Sequence, residues 1–377
     1  MSQSQMPPQK SYHDEVVHFL KGIPDLTPRE YSDKIRSHGY IAQERAVRAV
    51  SLMAFRHLDR LKAIFLRDIN PDELPAKSNI LFVGPTGCGK TFLVETLFRE
   101  ILGLPTVTVD MTSFSETGYV GQDVSTILTR LLFAAGYNPV HAAMGIVCMD
   151  EFDKIASGQN NAVFAGAGTT KDVSGLGVQR ELLKILEAAE ITIPLELSHS
   201  DYSPRALLST RDIGFIACGA FSGLKGLITR QDKLHIGFGR EECSPEDMRI
   251  AVTYTIEDVE LTKHFLDYGF LPELIGRFTR IIPFHALSRD ELKTILETKV
   301  LSRYEAEFRY KNIRLTVDPA VLDLVVDESV KKETGARGIE SAIARHLEDA
   351  AFEAYSTPGT RNLNVRLENN SVVFAID

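Results

Sequence analysis

Two patterns of apolar and polar residues alternate along much of the chain. Short runs of apolar or β-branched residues are typical of strands in a buried sheet, and they occur at residues 80–83, 106–109, 145–149 and 213–218. The stretches between them carry apolar residues at helical spacing, as residues 94–101 and 124–135 do. Strands that alternate with helices predict an α/β fold, with a mostly parallel sheet covered by helices on both faces.

The pattern changes near residue 284, beyond which helices predominate. Ser288 and Glu291 form a predicted capping box, and Asp318-Pro319 is a suitable N-cap and first turn for the next helix. A third helix is predicted over residues 337–355, followed by two short β-like segments. We therefore expect three parts, namely a lead-in segment (1–30), a large domain (31–284) and a smaller α-rich C-terminal domain (285–377).

Composition narrows the possible classes of function. The chain has 377 residues and a net charge of -9, so it is long enough for about two domains and is acidic. A net negative charge argues against a protein whose main task is to bind the phosphates of nucleic acids, because such proteins usually carry basic patches. The N-terminus is polar and no apolar run is long enough to span a membrane. We expect neither nucleic acid nor a membrane as a partner.

The cysteines add a second constraint. They lie far apart and include no CxxC pair, so neither a structural zinc site nor a disulfide framework is predicted. Reduced thiols fit a cytosolic environment best, and we expect a cytoplasmic protein. The four are Cys88, Cys148, Cys218 and Cys243.

The segment GPTGCGKT, residues 84–91, fits the phosphate-binding P-loop pattern. Its glycines let successive backbone N–H groups point at phosphate oxygens, and the following helix presents its positive N-terminal end to the same anion. Lys90 would reach the β- and γ-phosphates, and Thr91 would ligate Mg²⁺ through its hydroxyl. A plain glycine-rich turn is the alternative, but a strand and a helix flank the loop in the required order. The predicted ATP-binding residues here are Gly84, Pro85, Thr86, Gly87, Cys88, Gly89, Lys90, Thr91 and Phe92.

Two acidic residues, Asp150 and Glu151, directly follow the strand candidate 145–149. The carboxyl edge of a parallel sheet is where this class of fold binds ligands. We assign Asp150 to Mg²⁺ and Glu151 to the attacking water. The alternative is a solvated acidic turn that opens a helix. Arginines must also stabilise charge on the γ-phosphate, and Arg277 and Arg337 are candidates because each follows a glycine-containing break.

In this order the motifs resemble those of the AAA+ protein unfoldases, and within them the ClpX subfamily, over residues 26 to 355. The resemblance implies a P-loop AAA+ sheet with a small α-rich lid domain, ATP and Mg²⁺ as cofactors, and a ring-forming homo-oligomer, expected to be a hexamer. It also implies that Tyr40 and Ile41 line the adenine pocket, although packing at a helix start is an alternative.

The resemblance implies roles for both arginines. Residues 269–277, GFLPELIGR, are similar to the segment that presents an arginine finger to the neighbouring subunit, which would place Arg277 in trans. Residues 335–338, GARG, resemble the sensor 2 motif, in which Arg337 would contact nucleotide in its own subunit. A salt bridge at the surface or between domains is the alternative for each. Residues 216–221 are similar to the sensor 1 region.

Three further segments resemble loops that contact proteins. Residues 118–123, GYVGQD, look like the first pore loop, in which Tyr119 and Val120 would grip a threaded polypeptide, and residues 171–175 are similar to the second. Ile236, Gly237 and Phe238 resemble the loop that docks on the ClpP peptidase. The alternatives are an ordinary turn aromatic for Tyr119 and, for the docking segment, a loop folded onto its own core.

The sequence also departs from the family pattern. No cysteine precedes Cys88, so the N-terminal zinc-binding domain is expected to be absent, and the pore-entrance Arg-Lys-His loop has no match between Glu196 and Ser209. Ala42 stands where the family carries glycine. The expected function is an ATP-dependent protein unfoldase and translocase, with a ClpP-like peptidase as a possible partner. A remodelling chaperone without a peptidase is the first alternative, and a nucleic-acid motor or an ATP-gated scaffold is the second.

Overall fold

The computed structural model describes residues 9–114, 123–157, 175–187, 189–194, 205–224, 227, 262–369 and 371–377. The described chain begins with three helices, α1 (Gln9–Gly22), α2 (Pro28–Ser37) and α3 (Glu44–Arg67). A strand, β1 (Ile80–Val83), leads into α4 (Lys90–Val94), which continues as a π-helix over Glu95–Ile101. The next elements are β2 (Thr106–Asp110), α5 (Thr126–Ala134), α6 (Pro139–Ala142), β3 (Ile146–Asp150) and α7 (Gly175–Leu186). They are followed by β4 (Glu190–Pro194), β5 (Arg205–Ser209), β6 (Gly214–Gly219), α8 (Thr262–Tyr268), α9 (Pro272–Ile275) and β7 (Arg280–Pro283).

Five of these strands form one sheet in the order β2-β3-β6-β1-β7, and every neighbouring pair is parallel. The four residues of β1 are fully buried. Ile80 and Phe82 belong to one apolar cluster, and Leu81 and Val83 belong to the cluster on the opposite face. The predicted parallel sheet with helices on both faces is confirmed.

The smaller C-terminal domain has its own core. Its helices are α10 (Arg289–Ile295), continuing through a π-helix (Leu296–Leu301) into α11 (Ser302–Tyr310), then α12 (Pro319–Lys331) and α13 (Gly335–Ser356). Three strands, β8 (Arg314–Val317), β9 (Asn362–Glu368) and β10 (Ser371–Ile376), form a sheet in the order β10-β9-β8. The capping box of Ser288 and Glu291 is present, and Asp318 accepts a hydrogen bond from the N–H of Ala320 at 2.9 Å.

Two local features differ from the sequence prediction. Helix α2 begins at Pro28, a start that was not predicted; proline is tolerated in the first turn of a helix, and Thr27 supplies a capping box. Residues 190–194 and 205–209 form an antiparallel pair, β4 with β5, which was not among the predicted elements.

The predicted lead-in segment contains a helix that packs on the large domain. Val16 and Leu20 of α1 are buried in the same cluster as residues of α3. Asn138, at the N-terminus of α6, donates to the carboxylate of Glu15 at 2.9 Å. The domain boundaries stay a prediction. In the part of the chain that the structure describes, no helix combines the length and the apolar character required to cross a bilayer.

Candidate nucleotide-binding site

The glycine-rich loop connects β1 to α4 at the carboxyl edge of the sheet. Its first residue, Gly84, donates its N–H to the carbonyl of Gly219 at the end of β6, at 3.1 Å. Gly87 has a φ of +75°, and a Cβ there would lie 2.4 Å from the carbonyl oxygen of Thr334. Only glycine is compatible with both the conformation and this close approach.

Lys90 lies inside the turn of this loop. Its side chain is buried, with a relative exposure of 8%, and Nζ donates to the carbonyls of Gly84 at 2.7 Å and Pro85 at 2.8 Å. A buried ammonium requires such partners, because an unpaired charge in the interior is very unfavourable. The loop therefore holds a positive charge at the position predicted from the sequence.

Thr91 and Asp150 come together although 59 residues separate them in the chain. The hydroxyl of Thr91 donates to Oδ2 of Asp150 at 2.8 Å, because α4 and β3 both reach the same edge of the sheet. A hydroxyl and a carboxylate are the oxygen ligands that Mg²⁺ prefers in P-loop sites. The pair fits the predicted metal position.

Glu151 follows Asp150 in a strained backbone conformation. Its φ of +53° is unfavourable for a residue with a side chain, and such conformations are concentrated at functional sites. Burial raises the pKa of Glu151, and the nearby carboxylates of Asp153 and Asp150 raise it further, whereas Lys154 lowers it. A raised pKa makes the ionised carboxylate a better proton acceptor.

Tyr40 and Phe92 form an aromatic wall beside the loop. Their rings are stacked with centroids 5.9 Å apart, and the Tyr40 hydroxyl donates to the carbonyl of Gly89 at 3.2 Å. Burial raises the pKa of Tyr40 well above its ordinary value, so the phenol stays protonated. Ile41 lines the same cleft, and its predicted contact with adenine stays a prediction.

The cleft has a volume of about 720 Å³ and lies between the two domains. The large domain contributes the loop residues, Asp150 and Glu151, and the small domain contributes the start of α13, where the N–H of Ala336 donates to the carbonyl of Gly87 at 3.0 Å. Arg337 follows and lines the cleft. The structure therefore brings Arg337 to the phosphate-binding loop of its own chain.

Arg277 is placed differently. It is not among the described residues that line the cleft, and its guanidinium is paired with Glu187 at 2.5 Å. Both side chains are more than two-fifths exposed, at 44% and 43%. The trans role of Arg277 stays a prediction. Tyr119, Val120, residues 171–174 and the segment from Ile236 to Phe238 lie outside the described residues. Gly175, the last residue of the segment that resembles the second pore loop, is the first residue of α7.

Sequence reasoning missed part of the cleft wall. Lys299 and Arg303 enter it from the helices of the small domain, and Ala220 enters from the end of β6. The N–H of Ala220 donates to the buried carboxylate of Asp153 at 3.1 Å, which connects the sensor 1 region to the segment after β3. No local sequence pattern marks Lys299 or Arg303, because the fold brings them to the cleft from a distant segment. Ala220 belongs to the segment 216–221 that resembles sensor 1, but its place in the cleft wall was not predicted.

The buried Lys90 of the glycine-rich loop lies at the same sheet edge as Asp150, which ends β3, two strands away from β1 in the parallel sheet. This arrangement is typical of a P-loop NTPase. The sequence profile described as "AAA domain (Cdc48 subfamily)" matches residues 75–281, and the profile described as "C-terminal, D2-small domain, of ClpB protein" matches residues 287–364. These matches agree with the two domains of the structure.

Curated relatives identify the family. The chain is 35% identical over 361 residues to the "ATP-dependent Clp protease ATP-binding subunit ClpX" of Azotobacter vinelandii, covering 90% of this chain and 77% of that protein. It is 33% identical over 352 residues to the protein of the same name from Treponema denticola, covering 92% and 82% respectively. The chain belongs to the ClpX family of AAA+ ATPases, and it is an ATPase.

Proposed function

We propose that the protein is an ATP-driven protein unfoldase and translocase. The observation that carries the proposal is the cleft shared by both domains, in which Lys90, Glu151 and Arg337 converge. A nucleotide bound there would contact both domains, so its hydrolysis would change their relative position. The ClpX-named relatives support a protein substrate for this movement.

ATP with Mg²⁺ fits the groups of the cleft. Thr91 and Asp150 would hold the metal ion, which would neutralise charge on the β- and γ-phosphates. Lys90 and the loop N–H groups would bind the phosphates, and Arg337 would contact the γ-phosphate side from the small domain. Glu151 would orient and deprotonate the attacking water. Tyr40, Phe92 and Ile41 would pack against the base.

The proposal includes a homo-oligomeric ring, most simply a hexamer, in which Arg277 completes the site of a neighbouring subunit. Its support is that Arg277 is exposed and lies outside the cleft of its own chain. The test is to mix inactive Arg277→Ala subunits with inactive Glu151→Gln subunits. Mixed rings contain some interfaces that combine an intact Glu151 with an intact Arg277, so ATPase activity should return on mixing. Activity that stays absent would contradict the trans role.

We further propose that Tyr119 and Val120 grip the substrate in an axial pore and that the loop from Ile236 to Phe238 docks on a ClpP-like peptidase. The experiment measures degradation of a model unfolded protein with ATP, with and without the peptidase, for the wild type and for a variant lacking residues 236–238. The deletion should abolish degradation and leave ATP hydrolysis intact. Unchanged degradation would contradict the docking role.

The second candidate function is a remodelling chaperone without a peptidase. It predicts ATP-dependent unfolding of the substrate in the same assay but no degradation when the peptidase is added. A nucleic-acid motor would instead show ATPase stimulation by DNA or RNA and not by unfolded protein, which the net charge of -9 disfavours. The cytoplasmic location stays a prediction.

A further inference from the structure

We propose that Gln43 is a positioning residue that couples the base-binding loop to the hinge between the two domains. Gln43 is buried, with 3% exposure, at the N-terminus of α3. Its Nε2 donates to the carbonyl of His285 at 2.7 Å, and its Oε1 accepts from the N–H of the same residue at 3.2 Å. The side-chain amide thus pairs with both backbone groups of one residue, 242 positions further along the chain.

His285 lies at the junction of the domains. The residue before it, Phe284, is fully buried and still belongs to the sheet, since its N–H donates to the carbonyl of Val83 at 2.7 Å. Two residues after it, Leu287 lines the nucleotide cleft, and α10 then begins at Arg289. The backbone of residue 285 is therefore the first point at which the small domain can turn relative to the sheet.

Gln43 ends the loop of residues 38–43 that carries Tyr40 and Ile41. Ala42 and Gln43 both adopt left-handed backbone conformations, with φ of +68° and +55°. Such angles are unfavourable for residues other than glycine and persist when surrounding contacts fix them. The two hydrogen bonds of Gln43 to His285 are contacts of this kind. The shape of the loop at the cleft thus depends on the hinge.

A second contact attaches the other end of the same loop to the small domain. Nζ of Lys299 donates to the carbonyl of His38 at 2.5 Å, and the Lys299 side chain lies against Gly39, where a Cβ would be 1.9 Å from Cε. The φ of Gly39 is +78°. Both ends of the loop are therefore bonded to the small domain, while the Tyr40 hydroxyl bonds the phosphate-binding loop.

This arrangement makes nucleotide binding and domain orientation depend on each other. A movement of the small domain that displaces His285 and Lys299 must also displace Tyr40 and Ile41 in the cleft wall. By linkage, a nucleotide that fixes the loop favours one orientation of the small domain. The inference depends on nucleotide binding in this cleft and does not depend on pore threading or on a peptidase.

The test uses Gln43→Met in the full chain, because methionine has a similar size and cannot form either hydrogen bond. We expect the Kd for a fluorescent ADP derivative to rise about 5- to 20-fold, which is the range of a typical coupling between sites. In the wild type, ADP should protect the backbone amides of residues 284–288 against hydrogen exchange. The variant should lose this ADP-dependent protection, which a residue with only a packing role would not control.

The matched control is Gln179→Met. Gln179 is also a buried glutamine bonded to backbone groups, donating to the carbonyls of Ile155 at 2.8 Å and Gly269 at 3.1 Å, but it lies away from the cleft. Gln179→Met should lower Tm by about as much as Gln43→Met does. It should leave the Kd for the fluorescent ADP derivative within twofold of the wild-type value. If Gln43→Met also binds within twofold and keeps the ADP-dependent protection, the proposal is overturned.

Lys299→Met provides an independent variant, since this partly exposed side chain is not required for folding of the core. It should raise the same Kd by about 2- to 5-fold, a smaller change because only one contact of the loop is lost. If Gln43→Met does not fold, Lys299→Met decides the question. A wild-type Kd together with normal protection of residues 284–288 would then contradict the coupling.

Discussion

Lys77 and Lys90 lie on either side of β1 along the chain, and Lys77 is half-buried whereas Lys90 is buried. Lys90 donates to two carbonyls of the glycine-rich loop and lines the nucleotide cleft. Lys77 donates to the carbonyl of Thr210 at 2.6 Å, and its ammonium lies 4.6 Å from the ring centroid of Phe215. The two sites place the same chemical group against backbone carbonyls, but Lys90 lines the nucleotide cleft whereas Lys77 lies against the ring of Phe215.

The difference between these lysines lies in their surroundings. Beside Lys77 the ion pair of Arg60 and Asp212 is already closed at 2.6 Å. Burial lowers the pKa of Lys77 to about 7, with Arg60 lowering it and Asp212 raising it. Around Lys90 the loop N–H groups and the N-terminus of α4 suit an anion, and the hydrogen-bonded pair of Thr91 and Asp150 lies beside them. A buried charge by itself therefore does not identify a functional site.

The largest expected effect concerns Glu151, which lines the same cleft as Lys90. Glu151→Gln removes the proposed base and keeps the size of the side chain, so the ATPase kcat should fall about 10²- to 10⁴-fold. Binding of ATP should persist, because Glu151 has no assigned role in holding the phosphates. Steady-state kinetics and equilibrium binding check both parts. Turnover close to the wild-type value would remove Glu151 from the proposed role.

The comparison itself is tested by the matched pair Lys90→Met and Lys77→Met. Loss of charge-assisted hydrogen bonds to the phosphates should raise the Kd for ATP about 10- to 100-fold in Lys90→Met. Lys77→Met should bind ATP as the wild type does. An equal rise in the Kd for ATP in the two variants would show that nucleotide affinity does not depend on which of the two lysines is lost.

The smallest expected effect concerns stability at the other end of β1. Because folding lowers the pKa of Lys77 from 10.5 to about 7, the unfolded chain binds more protons between these pH values. The contribution of Lys77 to the free energy of unfolding therefore rises with pH between about pH 7 and pH 10.5. Lys77→Met lacks it, so the variant should be more stable than the wild type near pH 7, by about 1 to 3 kcal/mol, and the difference should shrink towards pH 10. Urea unfolding at several pH values measures this, and a constant difference would contradict it.

Patterns within short segments of the sequence predicted the phosphate-binding loop, the acidic pair at the end of β3 and a helix cap. The loop around Lys90 and the acidic pair at Asp150 were predicted because phosphate and metal binding require fixed residue types at fixed spacing. The capping box at Ser288 was predicted because helix caps are also local. Thr91 and Asp150 were each assigned to Mg²⁺, and Asp150 was expected at the edge of the sheet where parallel strands present their carboxyl ends.

Contacts between distant segments could not be predicted in the same way. Gln43 and His285 are 242 positions apart, and nothing near either residue indicates the other. Lys299 lies on a helical face whose apolar spacing predicts only packing. The pairing of β4 with β5 was not predicted, because Pro194 and Pro204 are residue types that usually interrupt regular structure. These features depend on how the two domains pack, which a single sequence does not encode locally.

The central claim is that ATP hydrolysis in this cleft unfolds proteins, and it is tested most directly without a peptidase. A stable fluorescent protein carrying an unstructured tail is incubated with the full chain, and loss of its native fluorescence is followed with ATP. The account predicts ATP-dependent loss with the wild type and none with Glu151→Gln, which binds ATP but does not turn it over. If the wild type hydrolyses ATP while the native fluorescence stays constant for every tail tried, the unfoldase assignment is contradicted.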